Sequence, residues 1–194
     1  MNVGIYIYEN AEVLDFSGPF EVFSTANRLA SAEEQFDVFL VAEHSTPVAA
    51  RGGFSVNPHY DFSSHPKIDV LIVVGGVHTG ELAKPEVIDW VAATSEKADM
   101  VASVCTGAFI LAKAGLLSGL KVTTHWEDIP DLARAHPDLT VMESVRWVDE
   151  GKLITSGGIS AGIDMSLHLV SRLAGSELAN KTARQMEFAW RKNS

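Results

Sequence analysis

The sequence contains a single cysteine among its 194 residues, so one chain can form no internal disulfide. Basic residues are also few, because 15 Lys and Arg stand against 25 Asp and Glu, which gives a net charge of −10 with the histidines neutral. Binding to nucleic acid or to an anionic membrane depends on clustered positive charge. We therefore expect neither nucleic acid nor a membrane as a partner.

Long hydrophobic runs are absent as well. The longest apolar stretches, such as 70–74, are far shorter than the roughly 20 residues that cross a bilayer. The N-terminus leads directly into a predicted strand, without the basic segment or cleavage site of a signal peptide. A cytoplasmic location is expected, and the 46% apolar content suits a single domain over 1–194.

The apolar residues alternate between strand and helix periods along the chain. Paired glycines at 52 and 53, between 48–51 and 54–57, predict an antiparallel hairpin. The alternation predicts an α/β fold, a three-layer α/β/α sandwich around a doubly wound, mostly parallel sheet. Strands are predicted at 3–8, 36–41, 68–74, 100–104, 120–124, 145–148 and 152–155, and helices at 17–30, 85–97, 106–114, 127–136, 159–173 and 177–191.

The only cysteine, Cys105, lies where the predicted strand 100–104 turns directly into a helix. This is the setting of a nucleophile elbow, in which a sharp turn exposes the reactive side chain. The N-terminus of a helix has unpaired N–H groups and a positive dipole, so it predicts a lowered thiol pKa. The alternative is an inert core cysteine, since free cysteine packs like a small hydrophobe.

Ligands of an open parallel sheet bind at the carboxyl ends of its strands. Four loops are predicted to meet there, and they carry Asp15, residues 75–78, Cys105 and His125. Among residues 75–78 are two glycines, which let the backbone approach a ligand closely. These loops therefore hold the candidate site.

Three residues are candidate partners of the thiol. Asp15 lies among apolar neighbours, so it is either a desolvated acid that donates a proton or a helix cap. Thr106 either joins the same network or caps its own helix. His125 is either a general base for the cysteine or a histidine held by hydrogen bonds beside Trp126.

The glycine loop is a candidate anion site. The N–H of Thr106, with that of Gly76 or Val77, is able to stabilise charge that develops on a substrate. Gly75 and Gly76 are equally consistent with a plain turn after a strand. No spacing of His, Cys and carboxylates suggests a metal site, and no glycine-rich nucleotide motif occurs, so no cofactor is expected.

Four segments, taken together, resemble the ThiJ/PfpI superfamily of class I glutamine amidotransferase-like proteins. The resemblance spans essentially the whole chain and implies a flavodoxin-like fold with a nucleophile elbow. Within the superfamily, the motifs are most similar to the isonitrile hydratase branch and to the N-terminal domains of AraC-type regulators. The segments are 15–23, 104–109, 123–126 and 155–164.

The two similar branches differ in function. The regulators carry a C-terminal helix-turn-helix domain of roughly a hundred further residues, whereas this sequence stops at Ser194. A free-standing enzyme is therefore expected. The proteases, chaperones and glyoxalases of the superfamily have glutamate at the position of Asp15. Aspartate is shorter by one methylene and reaches the thiol differently. Those activities are therefore not favoured.

The resemblance implies a mechanism. The Cys105 thiolate attacks the terminal carbon of an isonitrile to give a thioimidate, Asp15 supplies a proton and then positions water, and Thr106 assists. The product is an N-substituted formamide. His125 matches the position of a family histidine but ranks below Asp15. Two alternatives stay open: another cysteine amidase or protease-like hydrolase, and a redox or ligand sensor without turnover.

The substrate itself is not specified by the sequence. Residues 75–78 with Trp126 and Ile159 are expected to contact it, and Phe16 and Phe20 to help shape the pocket. The resemblance also implies a homodimer.

Overall fold

The computed structural model describes residues 1–32 and 35–192. Its helices are α1 Val13–Leu29, α2 Pro85–Lys97, α3 Gly107–Lys113, α4 Ile129–Ala135 and α5 Ser160–Gln185. Its strands are β1 Asn2–Tyr6, β2 Asp37–Ala42, β3 Val48–Ala50, β4 Phe54–Val56, β5 Tyr60–Asp61, β6 Val70–Val73, β7 Met100–Val104, β8 Lys121–Val122, β9 Thr140–Val141, β10 Trp147–Glu150 and β11 Leu153–Ser156.

The central sheet has seven strands in the order β10-β11-β7-β6-β1-β2-β5. All neighbours are parallel except β10 and β11, so the predicted mixed α/β fold with a mostly parallel sheet and flanking helices is confirmed. The β1-to-β2 and β6-to-β7 crossovers step in opposite directions along the sheet. Because such crossovers are right-handed, α1 and α2 cover opposite faces.

The order β2-β1-β6-β7-β11 is the flavodoxin order, in which the chain reverses direction between β1 and β6. The strands β6 and β7 are buried along their whole length, as expected for central strands covered by helices on both faces. The helix α1 packs mainly on α5, while α2 packs on α3. The loops that follow β1, β6 and β7 therefore converge at one edge of the sheet.

The first helix begins earlier than predicted. It starts at Val13 rather than near residue 17, with Glu12 as its N-cap residue, and it continues through Pro19. Proline removes a backbone donor and disfavours helix before it, so the Gly18-Pro19 pair suggested a boundary. The structure overrides this preference because Gly18 brings α1 close to α5, where a Cβ would lie 3.0 Å from Ile163. Asp15 is consequently inside the first helical turn.

The predicted strand 120–124 is wrong in its length and in its sheet. Only β8, Lys121–Val122, is paired as a strand, and it pairs with β9 instead of joining the central sheet. Beyond β8, side chains hold the backbone, since the Thr123 N–H donates to Oγ1 of Thr155 at 2.8 Å. His125 therefore lies in a loop and does not end a strand.

The two helices predicted at 159–173 and 177–191 are present as the two parts of α5, which are separated by the non-helical Gly175 (φ 87°), and the second part ends at Gln185. The predicted hairpin is present as the antiparallel pair β3 and β4, although its connection, Arg51–Gly53, has three residues. Within the described residues, no helix combines the length and the apolar character needed to cross a bilayer.

Gly107 begins α3 and permits its contact with β6. A Cβ at this position would lie 2.2 Å from the carbonyl oxygen of Val73 and 2.9 Å from its carbon. We expect Gly107→Ala to lower the free energy of unfolding by about 1–3 kcal/mol or more, because backbone atoms must move apart. Urea denaturation followed by circular dichroism measures the change.

The matched control for this substitution is Gly80→Ala, because a Cβ at Gly80 meets no heavy atom within 4 Å. Its effect on stability should stay within about 1 kcal/mol. Equal stabilities of the two alanine variants would show that the contact between α3 and β6 is not as close as described.

Candidate active site

The backbone of Cys105 has the positive φ of a nucleophile elbow, 56°, immediately after β7. Non-glycine residues rarely adopt this conformation, so surrounding contacts must hold it. The Cys105 N–H donates to the carbonyl of Ser156 at 3.2 Å, and its carbonyl accepts from Oγ1 of Thr124 at 2.8 Å. The turn is thus held from β11 and from the loop after β8.

The Asp15 carboxylate is fully buried beside the thiol and joins three segments. Its Oδ2 accepts from the N–H of Gly75 at 3.1 Å, and its Oδ1 accepts from the N–H of Ile159 at 3.0 Å. Burial raises the pKa of Asp15 to about 7, although these two hydrogen bonds and the neighbouring Cys105 thiol act in the opposite direction.

Gly75 lies between Asp15 and Cys105, where there is no room for a side chain. A Cβ on Gly75 would lie 2.6 Å from the Thr106 nitrogen, 2.7 Å from Cβ of Cys105 and 2.8 Å from Oδ2 of Asp15. Gly75 is buried, and it does not line the open cleft described below. Its contribution is therefore to let the carboxylate and the thiol approach one another.

The expectation of a lowered thiol pKa is wrong. Burial, followed by the charge of Asp15, raises the pKa of Cys105 well above its usual range. A hydrogen bond from the Thr106 N–H at the start of α3 lowers this pKa, but its effect is smaller. At neutral pH the sulfur therefore keeps its proton.

The Thr106 hydroxyl links the cysteine loop to the glycine loop and does not cap α3. It accepts from the N–H of Gly76 and donates to the Gly76 carbonyl, both at 3.0 Å. The N–H of Val77 donates to the carbonyl of Asn10 at 3.1 Å, and that of Gly75 is bound to Asp15. The N–H groups of Gly76 and Val77 are therefore paired within the protein, whereas the Thr106 N–H, the other donor expected in an anion site, is directed at the Cys105 sulfur.

An open cleft of about 480 Å³ leads to Cys105. Of the residues predicted to contact a substrate, it is lined by Gly76, Val77, His78 and Ile159, but Trp126 lies outside it. Phe16 and Phe20 do not line it either: Phe16 is buried in the core, and Phe20 stacks on His59. The full lining consists of Glu12, Arg51, Gly76, Val77, His78, Thr79, Cys105, Thr106, His125, Glu127, Asp128 and Ile159.

His125 approaches the thiol across Gly158. A Cβ on Gly158 would lie 2.3 Å from Cδ2 of His125 and 3.2 Å from Sγ of Cys105. Nδ1 of His125 lies 3.4 Å from Oδ2 of Asp128. Among the groups that shift the pKa of the thiol, Asp15 has the largest effect after burial.

His78 also lines the cleft. Its ring packs on Phe109 with 4.5 Å between the ring centres. Burial lowers the pKa of His78, which keeps the imidazole uncharged at neutral pH. It is thus a neutral polar group facing the site.

Sequence reasoning missed Glu12, Arg51, Asp128 and Gly158. Arg51 donates to Oε2 of Glu12 at 2.9 Å at the rim of the cleft. Gly158 had a recognisable signal, because a glycine pair follows β11 just as a glycine pair follows β6. Across residues 1–32 and 35–192, no three His, Cys, Asp or Glu side chains are grouped to hold a metal ion.

The arrangement is suited to proton transfer coupled to attack by sulfur. A general base works best when its pKa is near the working pH, and Asp15 has a pKa of about 7. As the carboxylate it can accept the thiol proton, and as the acid it can return that proton to a bound molecule. The same pair therefore contains the groups that a nucleophile, a base and an acid require.

Comparison with known proteins places the chain among relatives with different functions. The family model described as DJ-1/PfpI family matches residues 1–172. Isonitrile hydratase of Pseudomonas putida is 35% identical over 190 residues, which are 97% of this chain and 79% of that protein. The HTH-type transcriptional regulator GbdR of Pseudomonas aeruginosa is 29% identical over 92% of this chain, which spans only 48% of the regulator.

A solved structure shows the same architecture. The crystal structure of a ThiJ/PfpI family protein from Pseudomonas syringae superimposes with a TM-score of 0.85 at 28% identity, covering 98% of this chain and 76% of that one.

Proposed function

Because the chain belongs to the DJ-1/PfpI family, we propose that it is a cysteine-dependent isonitrile hydratase, which converts isonitriles to N-substituted formamides. The observation that carries the proposal is the buried pair of Asp15 and Cys105 at the end of an open cleft. The 35% identity to an isonitrile hydratase supports this choice among the activities of the family.

In the first step, sulfur forms a bond to the terminal carbon of the isonitrile. The thiol proton of Cys105 passes to the Asp15 carboxylate as the bond forms, and Asp15 then delivers it to the same carbon. The product is a thioimidate, in which the former isonitrile carbon carries one hydrogen, the sulfur and the substituted nitrogen. The raised pKa of the thiol makes this base necessary.

In the second step, Asp15 removes a proton from water as the water oxygen adds to the thioimidate carbon, and Asp15 then delivers this proton to the nitrogen. The carbon–sulfur bond breaks as the new hydroxyl becomes the formamide carbonyl, and the hydroxyl proton returns to the sulfur. One water is added in total, and nothing is oxidised or reduced. In this mechanism Thr106 positions the loop that contains Gly76, while His125 and His78 are polar walls.

The alternatives make different products. A cysteine amidase or protease-like hydrolase releases ammonia or an amine from amides, and a sensor binds a ligand without turnover. Similarity to GbdR supports the sensor alternative. We also propose that 1–194 is a single domain, that the protein is a cytoplasmic homodimer, and that its net charge of −10 keeps the chain itself from binding nucleic acid.

The test is mass-spectrometric detection of N-benzylformamide after the purified protein is incubated with benzyl isocyanide. The proposal predicts formamide in proportion to the protein concentration, above the rate in buffer. No formamide from this or other isonitriles, with Cys105 still reduced and open to alkylation, would reject the proposal. Ammonia from amides, or a ligand-induced rise in Tm without product, would then identify which alternative applies.

A further inference from the structure

The charged side chains that line the open cleft are not balanced. Apart from the histidines and the thiol, they are Glu12, Arg51, Glu127 and Asp128. Nη1 of Arg51 donates to Oε2 of Glu12 at 2.9 Å, so these two opposite charges offset one another. The other two side chains are both acidic, and they belong to the turn that leads into α4. The lining therefore carries an excess of negative charge on the side of this turn.

Neither of these two carboxylates has a basic partner of its own. Nδ1 of His125 lies 3.4 Å from Oδ2 of Asp128 and 3.8 Å from Oε2 of Glu127, and within residues 1–32 and 35–192 no Lys or Arg forms an ion pair with either. One imidazole carries at most one positive charge. At least one negative charge therefore remains uncompensated here, whichever protonation state His125 adopts.

Asp128 has the position of a helix cap but does not act as one. It is the N-cap residue of α4, and aspartate at an N-cap commonly accepts a hydrogen bond from an N–H group of the first helical turn. The Asp128 side chain makes no such bond. It lines the cleft instead, so its carboxylate is available to a ligand.

Asp128 is close enough to the reacting groups to affect them. After burial and Asp15, its charge also raises the pKa of Cys105, and it opposes the lowering of the His78 pKa that burial causes. The Asp128 side chain is 31% exposed, compared with 65% for Glu127, so water screens its charge less. Of the two acidic side chains, Asp128 therefore acts more strongly on a molecule held at the thiol.

The substituent of a bound isonitrile shares the cleft with Asp128, because the thiol that takes the isonitrile carbon lines the same space of about 480 Å³. A positive charge on that substituent is attracted to the carboxylate, whereas a negative charge is repelled. The net charge of −10 over the whole chain also favours the approach of cations. The charges of the cleft therefore select substrates by sign.

We propose that Asp128 determines the specificity of the cleft, and that the preferred substrates are isonitriles whose substituent carries a positive charge. This inference rests on the proposed function. It assigns Asp128 a part in recognising the substituent and none in bond making.

The test compares kcat/KM for two isonitriles of the same shape, the cation isocyanoethyltrimethylammonium and neutral neohexyl isocyanide, in which carbon replaces the quaternary nitrogen. The unmodified protein should prefer the cation by about tenfold, between the few-fold effect of an exposed ion pair and the larger effect of a buried one. In Asp128→Asn this ratio should fall about fivefold, mainly through KM. Added salt should reduce the preference of the unmodified protein, because it screens partly exposed charges.

Asp131→Asn is the matched control. It removes the same charge from the same region of the chain, but its side chain is 62% exposed, does not line the cleft and pairs with Arg134 at 2.7 Å. This variant should keep the ratio. An unchanged ratio in Asp128→Asn, an equal fall in both variants, or equal kcat/KM for the two isonitriles in the unmodified protein would overturn the proposal while leaving the hydratase activity in place.

Failure of the proposed function is different, because no isonitrile then gives formamide. In that case the probes are two methanethiosulfonates that modify Cys105, one with a trimethylammonium group and one with a sulfonate. The rate of each is divided by its rate with free mercaptoethanol. A corrected ratio that favours the cation and falls in Asp128→Asn supports selection by Asp128. A corrected ratio of about one or less, or one that Asp128→Asn does not change, rejects it.

Discussion

Replacement of Cys105 by alanine should abolish formamide formation, with kcat/KM reduced by a factor on the order of 10⁴ or more. The reason is that no other side chain at the end of the cleft offers a sulfur nucleophile, since this is the only cysteine in the chain. The measurement is the initial rate of formamide production at isonitrile concentrations well below KM, with circular dichroism to show that the variant is folded.

Ser103→Ala is the matched control for this loss. Ser103 lies two residues earlier on β7, and its buried hydroxyl has no hydrogen-bond partner among the described residues. Its removal should leave turnover unchanged and should not lower stability, because an unsatisfied buried polar group is lost. Turnover retained in Cys105→Ala, or lost equally in both variants, would contradict a nucleophilic role.

Asp15→Asn should lower kcat/KM by about 10²–10⁴-fold, the usual contribution of general acid–base catalysis. It should also remove the pH dependence of kcat/KM. Because Asp15 has a pKa of about 7 and must be ionised to accept the thiol proton, kcat/KM of the unmodified protein should rise about tenfold per pH unit below 7 and level off above it. The asparagine variant should lack this rise.

The same substitution should make the thiol more reactive towards iodoacetamide. The charge of Asp15 raises the pKa of Cys105, so its removal lowers that pKa and increases the thiolate fraction at pH 8. If Asp15→Asn is alkylated faster but turns over more slowly, its low activity results from lost proton transfer and not from loss of the reactive thiol by unfolding. Asp15→Glu is the conservative comparison, and it should retain the pH dependence with a reduced rate. Slower alkylation of Asp15→Asn would contradict the coupling of the two groups.

Local patterns predicted the central elements well. The bounds of α2 and β7 agree with prediction because each has a clear signal, a proline at the start of the helix and a continuous apolar run in the strand. The residue at which α1 starts and the conformation of residues 120–124 depend on tertiary contacts instead. Packing on α5 carries the helix through Pro19, and side-chain hydrogen bonds replace strand pairing beyond β8.

The site was predictable in its position but not in its electrostatics. The sheet order requires the loops with Asp15 and Cys105 to meet, and a local pattern identified both. The helix at Thr106 suggested an acidic thiol, yet the pKa depends on burial and on Asp15, which is 90 residues away in sequence. Arg51 and Gly158 were missed for a similar reason, because their proximity to the cleft arises only when distant segments fold together.

The most direct measurement of the central claim is intact-mass analysis of the protein quenched with acid during turnover of benzyl isocyanide. A covalent thioimidate on Cys105 should add the mass of one isonitrile to the chain, appear before formamide accumulates, and map to the peptide that contains Cys105. The adduct should be absent from Cys105→Ala. Formamide formed at the same rate with no adduct at any time, or an adduct at another residue, would contradict attack by Cys105.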